Sequence, residues 1–361
     1  MLRRLRLLCF RCHRRLEFEP APGRNWLVGP NGRGKTTILE AAFYLGRLRS
    51  FRTGQIREMA AWPGAGFAVE GERDEASDHS GMETLSVKWE KGARTTTIDG
   101  AAVPVEEFWG RLPAVLFSAE DGLLIRGPAA RRQGWLDALR SASEVGHLVA
   151  VRRYNAVLKQ RNAWLRQDAL GGADAKLGEA LSEQLLGEAA RVTTGRLAAA
   201  AAAGRLAAPL LEAFFGGAGT CRFTYRPDLE PGAAVDWAKL APQERRMQRT
   251  LVGPHRDEWE VRWNGKAVSR FGSEGEQRLA ALLLRLIEAA ALREARNGVW
   301  PLFLVDDALT PLDPERKLTL ETLLPAEAQV LQAGTVPPAS ACLGPNDALW
   351  SLPAEGIVRE H

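Results

Sequence analysis

Apolar and polar residues alternate at the start of the chain, and the alternation predicts short strands at Leu5 to Phe10 and Arg14 to Phe18. Trp26, Leu27 and Val28 predict a third strand, after the turn sequence Pro20-Ala21-Pro22-Gly23. A glycine-rich loop follows, and Thr36 to Leu45 then carries helical spacing. The pattern returns to strands at Phe67 to Glu70, Leu85 to Trp89 and Thr95 to Ile98, with Asp99-Gly100 as a hairpin turn. An antiparallel sheet beside the glycine-rich loop is expected. Trp135 to Ala213 has apolar residues at helical spacing and reads as an inserted helical lobe; its alanine run, Ala198 to Ala203, suits close helix packing. Strands are expected again at Cys221 to Tyr225 and Trp259 to Trp263, the second followed by the turn Asn264-Gly265. A helix from Glu276 to about Arg296 and the apolar strand Leu302 to Val305, ending in Asp306-Asp307, complete an α/β pattern. No internal repeat and no long heptad array interrupts it.

Composition narrows the classes. With 45% hydrophobic and 25% charged residues among 361, the chain is neither disordered nor fibrous. No run of eighteen apolar residues is present, which excludes a membrane-spanning helix. The basic start, Met1 to Phe10, has too short an apolar stretch for a signal peptide, so a cytoplasmic protein without a membrane partner is expected. The formal charge of +4 is a weak pointer to an anionic partner. Cys9, Cys12 and His13 spell the haem-attachment pattern, but covalent haem requires export. A zinc site would need a second cysteine pair, which the isolated Cys221 and Cys342 do not form.

The chemistry concentrates in two places. Gly29-Pro30-Asn31-Gly32-Arg33-Gly34-Lys35-Thr36, followed by Thr37, fits the phosphate-loop pattern G-x-x-x-x-G-K-[ST] between an apolar strand and a helix. There the backbone amides and the helix N-terminus cradle phosphates, Lys35 bridges the terminal phosphates and the Thr36 hydroxyl binds Mg2+. ATP or GTP is the expected ligand. Asp306, at the end of its strand, is the expected metal-side acid, and Asp307 the group that orients attacking water. Phe271-Gly272-Ser273-Glu274-Gly275-Glu276-Gln277-Arg278 opens a helix and offers either a second anion site, at Ser273 and Gly275, or a plain helix cap.

In this order the motifs resemble the RecF family of bacterial recombination mediators, in the SMC-like branch of ABC ATPases. The resemblance runs from about Leu5 to Thr335. It is carried by Phe10-Arg11, the phosphate loop, Leu39-Glu40-Ala41, Arg49-Ser50-Phe51-Arg52-Thr53, Leu116-Phe117-Ser118, Leu136-Asp137, Leu158-Lys159-Gln160-Arg161-Asn162, Gly253-Pro254-His255-Arg256-Asp257 and Asp306-Asp307 through Leu312-Asp313. It implies an ABC/SMC-like ATPase head of mixed sheets around the phosphate loop. Residues 1–115 and 251–361 would form the ATPase lobe and 116–250 a mainly helical second lobe. It implies ATP and Mg2+ as cofactors, a homodimer closed around ATP, and weak DNA-stimulated hydrolysis used as a switch. In that dimer Ser273 and Gly275 would meet the partner's nucleotide, and Leu312 and Asp313 would cross the interface. It also implies sequence-independent binding of duplex DNA near single-strand gaps and cooperation with RecO and RecR in loading RecA. Candidate DNA contacts are Arg47, Arg49, Arg52 and Arg57 after the nucleotide helix, and Arg152, Arg153, Lys159 and Arg161 on the helical lobe. The chain departs from the family at Cys12 (usually Asn), at Ala119 and Gly122 (usually Pro and Leu) and at Pro311 (commonly acidic), none of which removes a phosphate-binding or metal-binding group. Two other readings stay open: a transport-coupled ABC ATPase, which the large helical insertion between Lys35 and Ser273 disfavours, and a nucleotide-gated structural module with negligible turnover.

Overall fold

The structure is a computed structural model and describes residues 1–61, 66–74, 81–172, 174–215, 220–306, 324–337, 343–353 and 356–360. Two compact units divide the chain: Met1–Glu120 with Leu292–His361, and Asp121–Ala291.

The first unit opens with β1 (Leu2–Phe10), β2 (His13–Phe18), β3 (Arg24–Val28) and α1 (Lys35–Arg47). It continues with β4 (Gly66–Asp74), β5 (Met82–Glu90), β6 (Ala93–Ile98), β7 (Ala101–Ala102), α2 (Val105–Phe108) and β8 (Ala114–Ser118). Six of these strands form a sheet in the order β2-β1-β4-β5-β6-β7, with neighbouring strands antiparallel throughout. Its inner face buries Leu5, Leu7, Val69, Leu85 and Val87. Its outer face carries a charge ladder: Arg6 stands opposite Glu17 and Glu70 and bonds both, while Arg4 pairs with Glu19 and Glu72. The basic start of the chain is thus matched by acids on the neighbouring strands. The turn between β6 and β7 is Asp99-Gly100, as predicted, with φ of 49° and 80°.

In the second unit come α3 (Leu123–Arg126), α4 (Ala129–Ser143), α5 (Val145–Asp168), α6 (Ala175–Phe215), β9 (Cys221–Arg226), α7 (Trp237–Met247), β10 (Glu258–Trp263), β11 (Lys266–Ala267), α8 (Val268–Phe271) and α9 (Glu274–Glu294). β10 lies between β9 and β11 in an antiparallel sheet. Trp135 of α4 stacks on Trp259 of β10 with ring centroids 5.0 Å apart, which ties the helices to this sheet. Residues 251–291, expected with the ATPase lobe, therefore belong to the helical unit. The reason is β-pairing: Glu258 to Trp263 takes Cys221 to Arg226 as its partner, residue for residue.

The chain then returns with β12 (Leu302–Asp306), β13 (Val330–Gly334), β14 (Ala348–Ser351) and β15 (Val358–Arg359). They complete a second sheet in the first unit, ordered β15-β14-β3-β13-β12-β8 and parallel from β14 to β8. Such strands are covered on both faces, which is why β12 reads as an unbroken apolar run. Helix α1 packs against β8, β12 and β13 of this sheet and β1, β4 and β5 of the other. Being covered on two sides, it buries every residue except Thr36.

Candidate functional site

Ligands of open parallel sheets bind outside the carboxyl ends of the strands. Here that edge is aligned by register: Asp306 stands level with Ser118 on β8 and Ala333 on β13, and Gly334 level with Val28 on β3. The loop Gly29 to Gly34 leaves β3 at this edge and feeds directly into α1.

The loop's shape follows from its glycines. Gly32 and Gly34 have φ of 81° and 87°, a left-handed conformation that side chains disfavour. A Cβ on Gly34 would also lie 2.8 Å from Cys12 Sγ and overlap the His13 ring. Gly34 is the N-cap of α1, so the free amides of the first helical turn open on the loop. Lys35 is 5% exposed, and its Nζ donates to the carbonyls of Gly29 (2.7 Å) and Pro30 (3.0 Å), bending the side chain back across the loop. Thr36 Oγ1 donates to Asp306 Oδ1 at 2.8 Å. Four expected site residues, Gly34, Lys35, Thr36 and Asp306, are thus brought to one edge, while Pro30, Asn31, Gly32 and Arg33 face solvent. Thr37 is buried under the loop. Asp307, Leu312 and Asp313 lie outside the described residues, as does Pro311.

Glu40 is a residue whose role pattern reading missed. It is fully buried on α1 and accepts from Arg11 Nε (2.9 Å) and Nη2 (2.6 Å), Ser50 Oγ (2.5 Å) and Arg52 Nη1 (3.3 Å). The carboxylate therefore ties the β1–β2 turn and the segment after α1 to α1 itself. It also joins three of the sequence blocks that carry the family resemblance. Cys12 and His13, excluded as metal or haem ligands, lie against the phosphate loop: Cys12 Sγ is 3.6 Å from Thr37 Oγ1, and His13 Nε2 is 3.4 Å from the Gly34 carbonyl.

In the second unit, Ser273 and Glu276 form a reciprocal cap on α9. The Ser273 amide donates to Glu276 Oε2 (2.6 Å) and the Glu276 amide to Ser273 Oγ (3.3 Å). Ser273 is exposed and Gly275 half-buried, at the start of a 21-residue helix.

Two of the eight candidate DNA contacts are corrected by burial. Arg47 is 7% exposed and donates twice to the Ala114 carbonyl at the start of β8. Arg161 is 2% exposed, forms a two-point pair with Glu244 (3.0 and 2.7 Å), and also donates to Ser182 and Thr250. Arg52 is on the surface but paired with Glu40, and exposed Arg57 donates to Gln55. Arg49 is exposed too. Arg152, Arg153 and Lys159 are exposed on α5, where Arg166, not singled out from sequence, extends the stripe Arg152, Lys159, Arg166 at seven-residue steps.

The sequence blocks of the second unit serve its interior. Arg196 joins Asp137 (2.9 and 2.8 Å) to Asp257 (2.8 Å), and His147 Nε2 meets Asp137 at 2.9 Å. Burial works against the Asp137 charge, but the bonds to Arg196 and His147 hold its carboxyl below the usual range. Tyr154 bonds His255, and burial pushes the His255 pKa down.

Comparisons with known proteins show the family and the fold. Residues 1–336 match the family model described as the RecF/RecN/SMC N terminal domain. The chain is similar to the DNA replication and repair protein RecF of Synechococcus sp. (strain JA-3-3Ab), 35% identical over 379 residues, covering 100% of this chain and 96% of that protein. It is also similar to the RecF of Geotalea uraniireducens (strain Rf4), 32% identical over 91% of each chain. A solved structure of the recombination mediator protein RecF-ATPrS in the RecFOR pathway superposes with a TM-score of 0.89 at 24% identity, covering 100% of this chain and 98% of that one. An Smc head domain from Pyrococcus furiosus gives 0.53 at 15% identity, covering 99% and 96%. Among the described residues, no helix is long and apolar enough to cross a membrane.

Proposed function

Because the chain belongs to the RecF family of SMC-like ATPases, we propose that it is an ATP-binding switch in bacterial recombinational DNA repair. The observation that carries this function is the alignment of Lys35, Thr36 and Asp306 at the carboxyl edge of one parallel sheet, over the first turn of a buried helix. The loop amides and the Lys35 ammonium bind the phosphates of ATP. Thr36 Oγ1 and the Asp306 carboxylate, 2.8 Å apart, are hard oxygen donors that fit Mg2+. When bound, Mg2+ neutralises charge on the β- and γ-phosphates. Asp307 holds the attacking water and takes its proton in slow, DNA-stimulated hydrolysis.

ATP also drives dimerisation. The exposed start of α9, with Ser273 and Gly275, closes over the nucleotide of a second protomer, and Leu312 and Asp313 cross between the two. The dimer binds duplex DNA near single-strand gaps without regard to sequence, and acts with RecO and RecR to load RecA. Support for the DNA surface comes from α5, where Arg152, Lys159 and Arg166 recur about every 10.5 Å along the helix. The test of the nucleotide site is Lys35→Met, read by calorimetric titration with MgATP. A fall in affinity of at least tenfold, about 1.4 kcal/mol, is expected, and unchanged affinity in the folded variant refutes the assignment.

A further inference from the structure

Strand β10 is paired along its whole length on one side but only at its end on the other. β9 takes Glu258 to Trp263 residue for residue, whereas β11 takes only Arg262 and Trp263. In an antiparallel ladder, successive residues direct their backbone groups to alternate sides. The Asn264 amide, just past β10, donates to the Thr220 carbonyl on the β9 side at 2.8 Å. Glu258, Glu260 and Arg262 therefore bond to β9, and Trp259 and Val261 point away from it. Trp259 lies beyond the end of β11, and its backbone N–H and C=O have no partner among the described residues. Its indole Nε1 is buried without an acceptor as well, on a residue only 3% exposed. Buried backbone groups are nearly always paired, so an open pair here marks a place where a partner is missing.

A cleft of about 480 Å3 within the helical unit runs along this edge. Glu258, Trp259, Glu260 and Val261 all line it, although their side chains alternate between the two faces of the sheet. Only a cleft that follows the edge of the strand touches all four. α3 and α8 form its other walls. Each contributes an exposed arginine, Arg126 and Arg270, that has no partner among the described residues. The acids of the lining are already held, Glu258 by Arg132 at 3.0 Å and Glu260 by Arg262 at 2.6 Å. The cleft thus offers a free backbone pair between two unmatched positive charges.

We propose that it is a docking site for an extended acidic peptide of a protein partner, which adds a short strand to the free edge of β10. One peptide residue exchanges two hydrogen bonds with the Trp259 backbone, and neighbouring carboxylates pair with Arg126 and Arg270. A phosphodiester chain would satisfy the arginines but has no backbone donor for the Trp259 carbonyl.

The test uses the full chain with 15N-labelled tryptophan, titrated with the blocked peptide acetyl-Asp-Val-Asp-Val-Asp-Val-amide. Trp259→Phe assigns the Trp259 amide and indole signals, and both should shift as peptide is added. By fluorescence anisotropy of the labelled peptide, affinity should fall about tenfold in Arg126→Glu and in Arg270→Glu, each a change at an exposed position. Replacing every aspartate of the peptide by lysine should abolish binding. Two further peptides are N-methylated, one at every aspartate amide and one at every valine amide. One of them should bind about tenfold more weakly, because only alternate amides face β10. An unmoved Trp259 amide at millimolar peptide overturns the proposal. Unchanged affinity in both methylated peptides makes the cleft a simple anion pocket and overturns strand addition. A single-stranded oligonucleotide that moves the Trp259 amide where the peptide does not makes it a nucleic-acid surface, which overturns the peptide reading.

Discussion

Replacing Arg161 by Ala tests whether a basic residue on the helical unit belongs to the DNA surface or to the interior. Its side chain and that of Glu244 are 3% and 1% exposed, so the pair is out of water on both sides. The guanidinium gives four hydrogen bonds, two to Glu244 and one each to Ser182 and Thr250, and lies 4.2 Å from the Trp237 ring centroid. Arg161→Ala leaves the Glu244 carboxylate buried with the Leu251 amide as its remaining donor among the described residues. Breaking a buried pair by removing one partner costs about 3–5 kcal/mol. With urea m-values of about 1–3 kcal/mol/M, the unfolding midpoint should fall by roughly 1–5 M. The assay is urea denaturation followed by far-UV circular dichroism. A second arm measures DNA affinity without urea, at a temperature where the variant is folded, and no direct loss is expected. Arg161→Met with Glu244→Met removes both charges and should recover much of the stability. A cost below about 1 kcal/mol, the range of exposed pairs, together with weakened DNA binding would refute the placement of Arg161 in the core.

Ser273→Arg should bind MgATP as the parent does, since Lys35 and Thr36 are untouched, but fail to dimerise with it; light scattering that finds parental dimer mass removes the shared-site proposal. Asp307→Asn should keep ATP binding and dimerisation while turnover drops by about two orders of magnitude, and unchanged turnover assigns the base elsewhere. Reversing the α5 stripe one residue at a time, as Arg152→Glu, Lys159→Glu or Arg166→Glu, should weaken DNA binding similarly on unrelated sequences. The slope of log affinity against log salt should also become shallower by about one for each phosphate no longer neutralised, and a flat salt response in the parent contradicts an electrostatic interface.

Local signals were legible in the sequence wherever their cause is local. The turns Asp99-Gly100 and Asn264-Gly265 lie where expected because both residues of each take positive φ, which those residue types tolerate. The phosphate loop, its following helix and the apolar strand to Asp306 were likewise readable. The start of β1 was not: Leu2 is buried and paired, but a register shift between Leu2 and Arg4 breaks the alternation that marks a strand. Arg47 and Arg161 could not be sorted from surface arginines because their partners, Ala114 and Glu244, are far along the chain. Glu40 was invisible as a hub for the same reason, since its bonds come from Arg11, Ser50 and Arg52. The unit boundary near 250 failed because β10 has to reach back to β9 for a partner, and turn signals do not encode pairing.

The order of strands in the parallel sheet also sets a timetable for synthesis. Among the described residues β3, which launches the phosphate loop, pairs only with β13 and β14, and β8 only with β12. These three partners begin at Leu302, Val330 and Ala348, so both early strands leave the ribosome with open edges. The helical unit, a continuous stretch from Asp121 to Ala291, is fully translated before any of them appears. A nascent chain therefore carries a complete helical unit while its phosphate loop still hangs from an unpaired strand. On the proposed function, nucleotide binding should therefore appear only once the last strands are made, and a chain truncated before Val330 is expected to lack it.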